Sequence, residues 1–153
     1  MVGLDHRNPH HQYTVWVHTA HSVAFAPKDP LVRLALLLHD IGKPVTYTVG
    51  SDGIAHFRNH EEVGAELAEP RLRALGFPEE TVLLISDLIR MHDRDILSEE
   101  LPDWISRLGT DGVLLLLDIK EADARAHKEV YRTVRAEQAR ELRRLIRGQT
   151  IGA

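Results

Sequence analysis

Hydrophobic residues in the first third of the chain recur at helical spacing, and residues 13–25 are predicted to form a helix. The apolar residues that share this spacing are Tyr13, Trp16, Val17, Ala20, Val23 and Ala24. Asp29 followed by Pro30 predicts the start of a second helix, and Gly42 predicts its end. Residues 31–38 hold a single charged side chain, so this helix is expected to be buried on all sides.

The middle of the chain changes to a period of two. Residues 45–49 and 54–57 alternate between apolar and polar positions around the turn-forming stretch 50–53. This pattern predicts a small β-hairpin. A third helix is predicted to start at Asn59 or His60, where acidic residues follow at once and suit the positive end of a helix dipole.

The second half returns to helical spacing. Pro70 lies within the third helix and predicts a kink or a split there. Further helices are predicted at residues 78–92 and 102–108. From residue 111 the pattern stays helical almost to residue 147, with Gly148 as the predicted stop. The chain is therefore predicted to be all-α, with one β-hairpin.

The composition is that of an ordinary globular protein. Of 153 residues, 43% are hydrophobic and 27% are charged, and the absence of cysteine excludes a disulfide framework or a cysteine-based zinc site. No linker or repeat divides the chain, so residues 1–153 are expected to form one domain with a core over about 8–127 and a basic amphipathic helix over about 128–147. Since no segment suits a signal peptide or a membrane span, we expect a cytoplasmic protein with no membrane partner.

The chain contains ten histidines, and ionisable residues fall on apolar faces of several predicted helices. His39 and Asp40 follow the apolar face of the second helix, and His92 follows that of the fourth. Asp123 lies on the apolar face of the last helix. A buried carboxylate without a partner is costly, and a shared cation would neutralise both aspartates. The alternative for each residue alone is an ordinary core contact or an ion pair within its own helix.

These residues also occur in a recognisable order. His18, on the first helix but off its predicted apolar face, is followed by the adjacent pair His39 and Asp40 and much later by Asp123. This order resembles the HD-domain metal-dependent phosphohydrolase superfamily, and the resemblance implies an HD-domain helical bundle in which these four residues bind a metal. Three segments are similar to the HD region of bacterial tRNA nucleotidyltransferases (CCA-adding enzymes): residues 37–44, 60–66 and 91–94.

Members of the superfamily that bind two metals have two more histidines between the His-Asp pair and the final aspartate. His60 and His92 occupy such positions, so the resemblance implies that they bind a second metal or the substrate. His56 competes with His60, although strand alternation also fits an exposed His56. Nitrogen and oxygen ligands without sulfur suit one or two divalent ions, with Mn²⁺, Ni²⁺, Co²⁺, Fe²⁺, Mg²⁺ and Zn²⁺ all open.

Other polar residues near these positions are candidates for phosphate binding or proton transfer: Lys43, Glu61, Glu62, Asp93 and Arg94. Lys43 and Arg94 could meet a phosphate oxygen, although a solvated turn lysine fits Lys43 equally well. Asp93 or one of the glutamates could orient water or protonate a leaving group. His21 and His127 could flank the site, although exposure on a helix surface is the expectation for both.

We therefore interpret the sequence as a metal-dependent phosphohydrolase with a metal-bound hydroxide as nucleophile. The resemblance implies small nucleotide or RNA-end substrates and 2′,3′-cyclic phosphodiesterase or phosphatase chemistry. The alternative is a non-catalytic HD-type module that binds RNA or protein. Cationic residues over 128–147 favour RNA contact, whereas the apolar side of the same helix suits packing on the domain or in a homodimer.

Overall fold

A computed structural model describes residues 1–6, 13–127 and 129–151. The helices are α1 (Val15–Phe25), α2 (Pro30–Leu38), α3 (Lys43–Thr46), α4 (His60–Ala74), α5 (Glu79–Met91), α6 (Leu101–Arg125) and α7 (Glu129–Ile151), with a 3₁₀ turn at Ser98–Glu100. Strands β1 (Thr48–Val49) and β2 (Ala55–His56) pair antiparallel. The predicted all-α class with one hairpin is confirmed.

The turn after α2 separates that helix from the hairpin. The Asp29 carboxylate accepts hydrogen bonds from the backbone N–H groups of Leu31 (2.8 Å) and Val32 (3.2 Å), which starts α2 where the sequence predicts. The helix ends at Leu38 rather than at Gly42, and residues 39–42 form a turn. Because α3 follows at once, the first predicted strand is reduced to β1.

Two helix predictions need correction. Pro70 lies inside α4 without splitting it, since it is exposed and the backbone carbonyl that it leaves unbonded can face water. The predicted helix over 111–147 is two helices, α6 and α7, and α7 continues past Gly148. The predicted break before residue 111 is present as a non-helical Gly109 (φ 70°, ψ 164°).

The break between α6 and α7 lets α7 fold back onto the rest of the chain. Ala139, Leu142 and Ile146 of α7 are buried in the main apolar core. The apolar side of this helix therefore packs within the chain. The predicted start of the core at residue 8 and the first residue of the predicted basic helix, Lys128, lie outside the described residues, and the organisation of residues 1–153 as one domain stays a prediction.

The apolar core lies mainly between α2, α4, α5 and α6. Its largest fully buried side chains include Leu36, Leu72, Ile85, Leu88, Ile89, Met91, Leu116, Leu117 and Ile119. None of the described helices combines the length and apolar composition that a lipid bilayer requires.

Helix α1 reverses the prediction made from its apolar spacing. Its buried residues are Val15, His18, Thr19 and Ser22. Trp16 and Val17 of the predicted apolar face are 42% and 39% exposed. The predicted buried face of α1 was therefore wrong. This helix packs its polar side against other polar groups, so the spacing of its hydrophobic residues does not indicate which side is buried.

A glycine lets the turn after α2 touch α4. Gly42 is buried, and a Cβ atom at this position would overlap the His60 carbonyl oxygen and lie 2.8 Å from the Gly64 backbone nitrogen. The two backbones therefore approach more closely than any other residue would allow. This contact holds the turn with His39 and Asp40 against the first residue of α4.

We expect Gly42→Ala to destabilise the protein by about 1–3 kcal/mol, because the two backbones must separate to admit a methyl group. Gly148→Ala is the matched control. A Cβ atom at Gly148 meets no atom within 4 Å, so this helical substitution should be neutral or stabilising by up to about 1 kcal/mol. Chemical denaturation measures both variants, and an equal free energy of unfolding would contradict the close contact at Gly42.

Candidate metal centre

Separate elements bring histidines and aspartates to one buried point. The contributing residues are His18 on α1, His39 and Asp40 in the turn after α2, His60 at the start of α4, His92 after α5 and Asp123 on α6. We call these six residues the His/Asp cluster. Sequence separation between its members reaches 105 residues, so only the tertiary fold assembles it.

One half of the His/Asp cluster surrounds one carboxylate oxygen of Asp40. The Nε2 atom of His18 lies 3.9 Å from Asp40 Oδ2 and 2.7 Å from Asp123 Oδ1. The Nε2 atom of His39 lies 3.5 Å from Asp40 Oδ2 and 3.3 Å from Asp123 Oδ1. Ligand atoms of His18, His39 and Asp40 all lie within 4.8 Å of one another, which is close enough for one ion to contact them all.

The other half surrounds the second oxygen of Asp40. His60 Nε2 lies 3.5 Å and His92 Nε2 lies 4.0 Å from Asp40 Oδ1. These three residues also form a set within 4.8 Å. The Asp93 carboxylate lies outside them, 3.6 Å from His60 and 3.8 Å from His92. Asp40 thus presents one carboxylate oxygen to each half of the His/Asp cluster.

Backbone carbonyls orient three of the histidine rings in the same way. Nδ1–H of His39 donates to Leu36 O (2.6 Å), that of His60 to Phe57 O (2.9 Å) and that of His92 to Ile89 O (2.7 Å). In each case the acceptor lies three residues earlier. A proton fixed on Nδ1 leaves the Nε2 lone pair of a neutral ring as the ligand atom, and all three Nε2 atoms face Asp40.

The central polar atoms are buried and poorly satisfied. Among the described residues, His60 Nε2 and Asp40 Oδ1 have no hydrogen-bond partner. The Lys43 ammonium, 2.9 Å from Asp40 Oδ2, forms an ion pair with this carboxylate. Buried polar groups without hydrogen bonds are costly, and neutral imidazoles with carboxylates are the donors that divalent transition metals accept. The residues fit a cation.

The charges of the cluster shift the pKa values of its members. Burial raises the pKa of Asp40, but the positive charges of His39 and Lys43 outweigh burial and hold it well below its usual range. Burial acts in the same way on Asp123, where the hydrogen bond from His18 keeps the pKa low. Burial lowers the pKa of His39, but the charges of Asp40 and Asp123 raise it to about 9. A cation binding here therefore competes with a proton on His39.

The other predicted site residues have different surroundings. Lys43 is buried beside Asp40, so it is not a solvated turn lysine. Glu61 Oε2 lies 3.3 Å from His60 Nδ1. Glu62 is exposed and pairs with Arg90 at 2.9 Å, outside the His/Asp cluster. Arg94 is exposed and lines a separate cavity.

Two more histidines lie close to the cluster. His127 was expected on the surface, but it is partly buried, its ring lies 4.7 Å from that of His18, and it forms a possible ligand set with His18 and Asp123. His6 was not predicted at all. It is buried, receives a hydrogen bond from Lys43 Nζ (3.3 Å), and burial followed by the charge of Lys43 lowers its pKa to about 4. No periodic pattern surrounds His6, so only the high histidine count pointed to it.

Two further histidines of the described residues lie outside these sets, and His10 and His11 lie outside the described residues. His56 is half-buried on β2 and belongs to none of the ligand sets found among the described residues. The ring of His21 stacks between Tyr13 and Phe25. The geometry thus favours His60 over His56 as a neighbour of Asp40.

Two cavities reach the His/Asp cluster. A cavity of about 110 Å³, called here the small cavity, is lined by His92, Asp93, Lys120, Asp123, Ala124, His127 and Arg135. A second cavity of about 540 Å³ is lined by residues that include Lys43, Phe57, Arg58, His60, Glu61 and Asp93. Asp93 lines both cavities, so a ligand could approach its carboxylate from either side.

Comparisons with known proteins match this part of the chain. A family model described as "HD domain" matches residues 11–128, which include the whole His/Asp cluster. The CC-adding tRNA nucleotidyltransferase of Thermus thermophilus is 42% identical over 106 residues, covering 65% of this chain and 24% of the relative. The A-adding tRNA nucleotidyltransferase of Deinococcus radiodurans is 42% identical over 65 residues, covering 42% of this chain and 15% of the relative. The chain thus spans at most about a quarter of these curated relatives.

Proposed function

We propose that this chain, which belongs to the HD domain family, is a metal-dependent phosphohydrolase. Its proposed substrates are nucleotide or RNA-end phosphate esters. The observation that carries the proposal is Asp40, a fully buried carboxylate whose two oxygens face two sets of imidazole nitrogens. The Lys43 ammonium reaches only Oδ2 of this carboxylate, so Oδ1 is left facing the imidazole nitrogens of His60 and His92.

The ligands of a first cation would be His18, His39, Asp40 and Asp123, and a second would add His60 and His92 to Asp40. The donor set is compatible with Mn²⁺, Ni²⁺, Co²⁺, Fe²⁺, Mg²⁺ or Zn²⁺. When bound, such a cation supplies Lewis acidity, which favours ionisation of water near neutral pH and stabilises charge developing on a phosphoryl group.

Residues around the ligands would position substrate and water. Asp93 carries an exposed carboxylate where the two cavities meet, so it can accept a hydrogen bond from water beside the cluster. Lys43 places a positive charge at the wall of the larger cavity, where a phosphate oxygen would enter. The Lys120 ammonium donates to the carbonyl oxygens of His92 (2.7 Å) and Arg94 (2.5 Å), which fixes the segment that carries Asp93.

The proposed activity is tested on protein stripped of metal with a chelator. 2′,3′-Cyclic AMP and bis-p-nitrophenyl phosphate are then assayed with Mn²⁺, Ni²⁺ or Co²⁺ added back. We expect hydrolysis that requires added metal. Binding of RNA or a protein without hydrolysis under any of these conditions would instead support the alternative, a non-catalytic HD-type module.

Asp93→Asn should lower kcat for 2′,3′-cyclic AMP about 100-fold, because the amide keeps the shape of the side chain but cannot accept a proton. The bound metal content should not change, since Asp93 lies outside the proposed ligands. Asp87→Asn is the matched control on α5, where Asp87 pairs with Arg90 (3.6 Å). Both variants are measured by steady-state kinetics and metal analysis. If Asp93→Asn and Asp87→Asn both kept the wild-type kcat, Asp93 would have no role in catalysis.

The names of the matched relatives favour RNA as a substrate or partner, and α7 offers a surface for it. Arg132, Arg140, Arg144 and Arg147 are exposed. Arg135 and Arg143 are already held in ion pairs with carboxylates of the same chain. We propose that the exposed arginines contact the RNA backbone.

The double variant Arg140→Gln/Arg144→Gln should weaken tRNA binding and reduce the salt dependence of the dissociation constant, with a slope smaller by about 2 for two lost phosphate contacts. Hydrolysis of 2′,3′-cyclic AMP should not change, because both residues lie away from the cluster. Binding is measured by fluorescence anisotropy over a range of salt concentrations. An unchanged affinity and slope would remove α7 from the proposed RNA surface.

A further inference from the structure

A cavity next to the metal centre has a lining suited to a nucleotide. Its volume is about 430 Å³, and its walls are Arg94, Asp95, Glu100, Asp103, Trp104 and Arg107. This volume falls within the range of small-ligand sites, about 300–1,000 Å³. None of the six cluster residues lines it, so it is distinct from the metal centre, and we call it the Trp104 cavity.

Trp104 gives the cavity a fixed aromatic wall. Its side chain is partly buried and packs against the apolar core, so only part of the indole is free to meet a ligand. An indole anchored in this way stacks on a nucleobase without losing much conformational freedom. The carboxylates of Glu100 and Asp103 line the same cavity and can accept hydrogen bonds from the exocyclic amino group of a base.

The two arginines supply charge for a phosphate. Within the described part of the chain, the guanidinium groups of Arg94 and Arg107 make neither an ion pair nor a hydrogen bond, although Asp103 lies one turn before Arg107 on α6. Arg90 and Arg143, by contrast, are held by carboxylates. The lining therefore leaves two planar cations available to a phosphate group, the anion that guanidinium groups bind with two parallel hydrogen bonds.

An ion pair joins the lining of the Trp104 cavity to that of the small cavity of the metal centre. Asp95 lines the Trp104 cavity and forms an ion pair with Arg135, and Arg135 lines the small cavity beside Asp93 and Asp123. The backbone connects them as well, since Asp93 and Asp95 are separated only by Arg94. Lys120 holds this segment through the carbonyl of Arg94. A ligand in the Trp104 cavity would thus be separated from the small cavity by the Asp95–Arg135 ion pair.

We propose that the Trp104 cavity is the nucleobase subsite of the active centre. The base of a nucleotide or of an RNA end stacks on Trp104, and Arg94 and Arg107 bind the oxygens of a phosphate other than the one that is hydrolysed. This inference rests on the proposed function for its choice of substrate, but binding in the cavity does not require hydrolysis. It explains how an enzyme that otherwise contacts only phosphate could prefer nucleotides to simple phosphate esters.

Tryptophan fluorescence can test the subsite without any turnover. The chain has two tryptophans, Trp16 and Trp104, so Trp16→Phe leaves a single reporter in the cavity. This variant is titrated with AMP in a buffer containing a chelator, which prevents hydrolysis, and with ribose 5-phosphate as the ligand without a base. We expect saturable quenching by AMP and no quenching by ribose 5-phosphate.

Variants of the lining then locate the ligand by calorimetry. Trp104→Ala should weaken AMP binding at least about tenfold and Trp104→Phe much less, because phenylalanine still stacks. Arg107→Gln should weaken binding of AMP but not of adenosine. Arg71→Gln is its matched control, because Arg71 is an exposed arginine on α4 that lies in neither proposed site. If Trp104→Ala does not fold, the comparison of AMP with adenosine in Arg107→Gln still shows whether AMP binds in the cavity.

The results separate this inference from the proposed hydrolase. If AMP binding depends on Trp104 but none of the assayed phosphate esters is hydrolysed with any of the metals, the subsite is supported and the proposed hydrolase is rejected. The subsite would be contradicted if AMP did not change the fluorescence, or if Trp104→Ala and Arg107→Gln left the affinity for AMP unchanged. Metal-dependent hydrolysis by the same protein would still support the proposed hydrolase.

Discussion

Asp40→Asn is expected to reduce metal-dependent hydrolysis by about 1,000-fold or more, the largest effect predicted for any single substitution. Asp40 faces both halves of the His/Asp cluster, so its loss removes a charged ligand from two proposed cation positions at once. Asparagine has nearly the same shape and keeps one oxygen for the Lys43 ammonium. The reduction should therefore come from lost metal affinity, with the fold retained.

Asp118→Asn is the matched control for this experiment. Asp118 is a partly buried aspartate of α6 whose partner is Arg143, at 2.6 Å, outside the cluster. We expect Asp118→Asn to keep full metal content and activity. Circular dichroism verifies the fold of both variants, and metal analysis with kinetics measures the effect. An Asp40→Asn protein that binds and hydrolyses like the wild type would remove Asp40 from the site.

Removing the cation is expected to lower thermal stability strongly. A ligand that binds only the folded state at about 1,000 times its dissociation constant stabilises it by about 4 kcal/mol. For a chain of this size, about 4 kcal/mol corresponds to a rise in Tm of about 8–16 °C. Added Mn²⁺ or Ni²⁺ should raise the Tm of chelator-treated protein by this amount, because the cation neutralises the buried carboxylates.

A pair of histidine variants shows whether that rise comes from the His/Asp cluster. His39→Asn should abolish the rise, since the Nε2 atom of His39 lies within reach of both Asp40 and Asp123. His56→Asn should keep it, because His56 is half-buried on β2 outside the ligand sets. Scanning calorimetry with and without metal compares them. Equal rises in Tm for the two variants would mean that the ion binds elsewhere.

The local signals in the sequence predicted much of the fold. The Asp29–Pro30 start of α2 and the turn between β1 and β2 depend on residues close in sequence, and both are present. The change to a basic composition at residue 128 was recognised, but no helix end was predicted there, because the pattern from 111 to 147 is compatible with one helix. The packing of α7 onto the core accounts for the break. Tertiary packing therefore determines where one helix ends and the next begins when local helix propensity is compatible with a single helix.

In the site, too, residues with informative neighbours along the chain could be predicted, whereas those brought in by tertiary contacts could not. His39, Asp40 and His92 could be identified as buried because apolar neighbours on their own helices marked the inward side. His18 could not, since α1 buries its polar face, and it was assigned from the family pattern alone. His6 precedes the first helix, and it reaches Lys43 only through the fold of the complete chain. Spacing along one element does not report such contacts.

Binding of cations among the residues of the His/Asp cluster is tested most directly by anomalous X-ray scattering from crystals grown with Mn²⁺. We expect an anomalous peak in contact with His18, His39, Asp40 and Asp123, with a second site between Asp40, His60 and His92. A saturating Mn²⁺ concentration that gave no peak at the cluster, with the Lys43 ammonium still paired to Asp40, would contradict it.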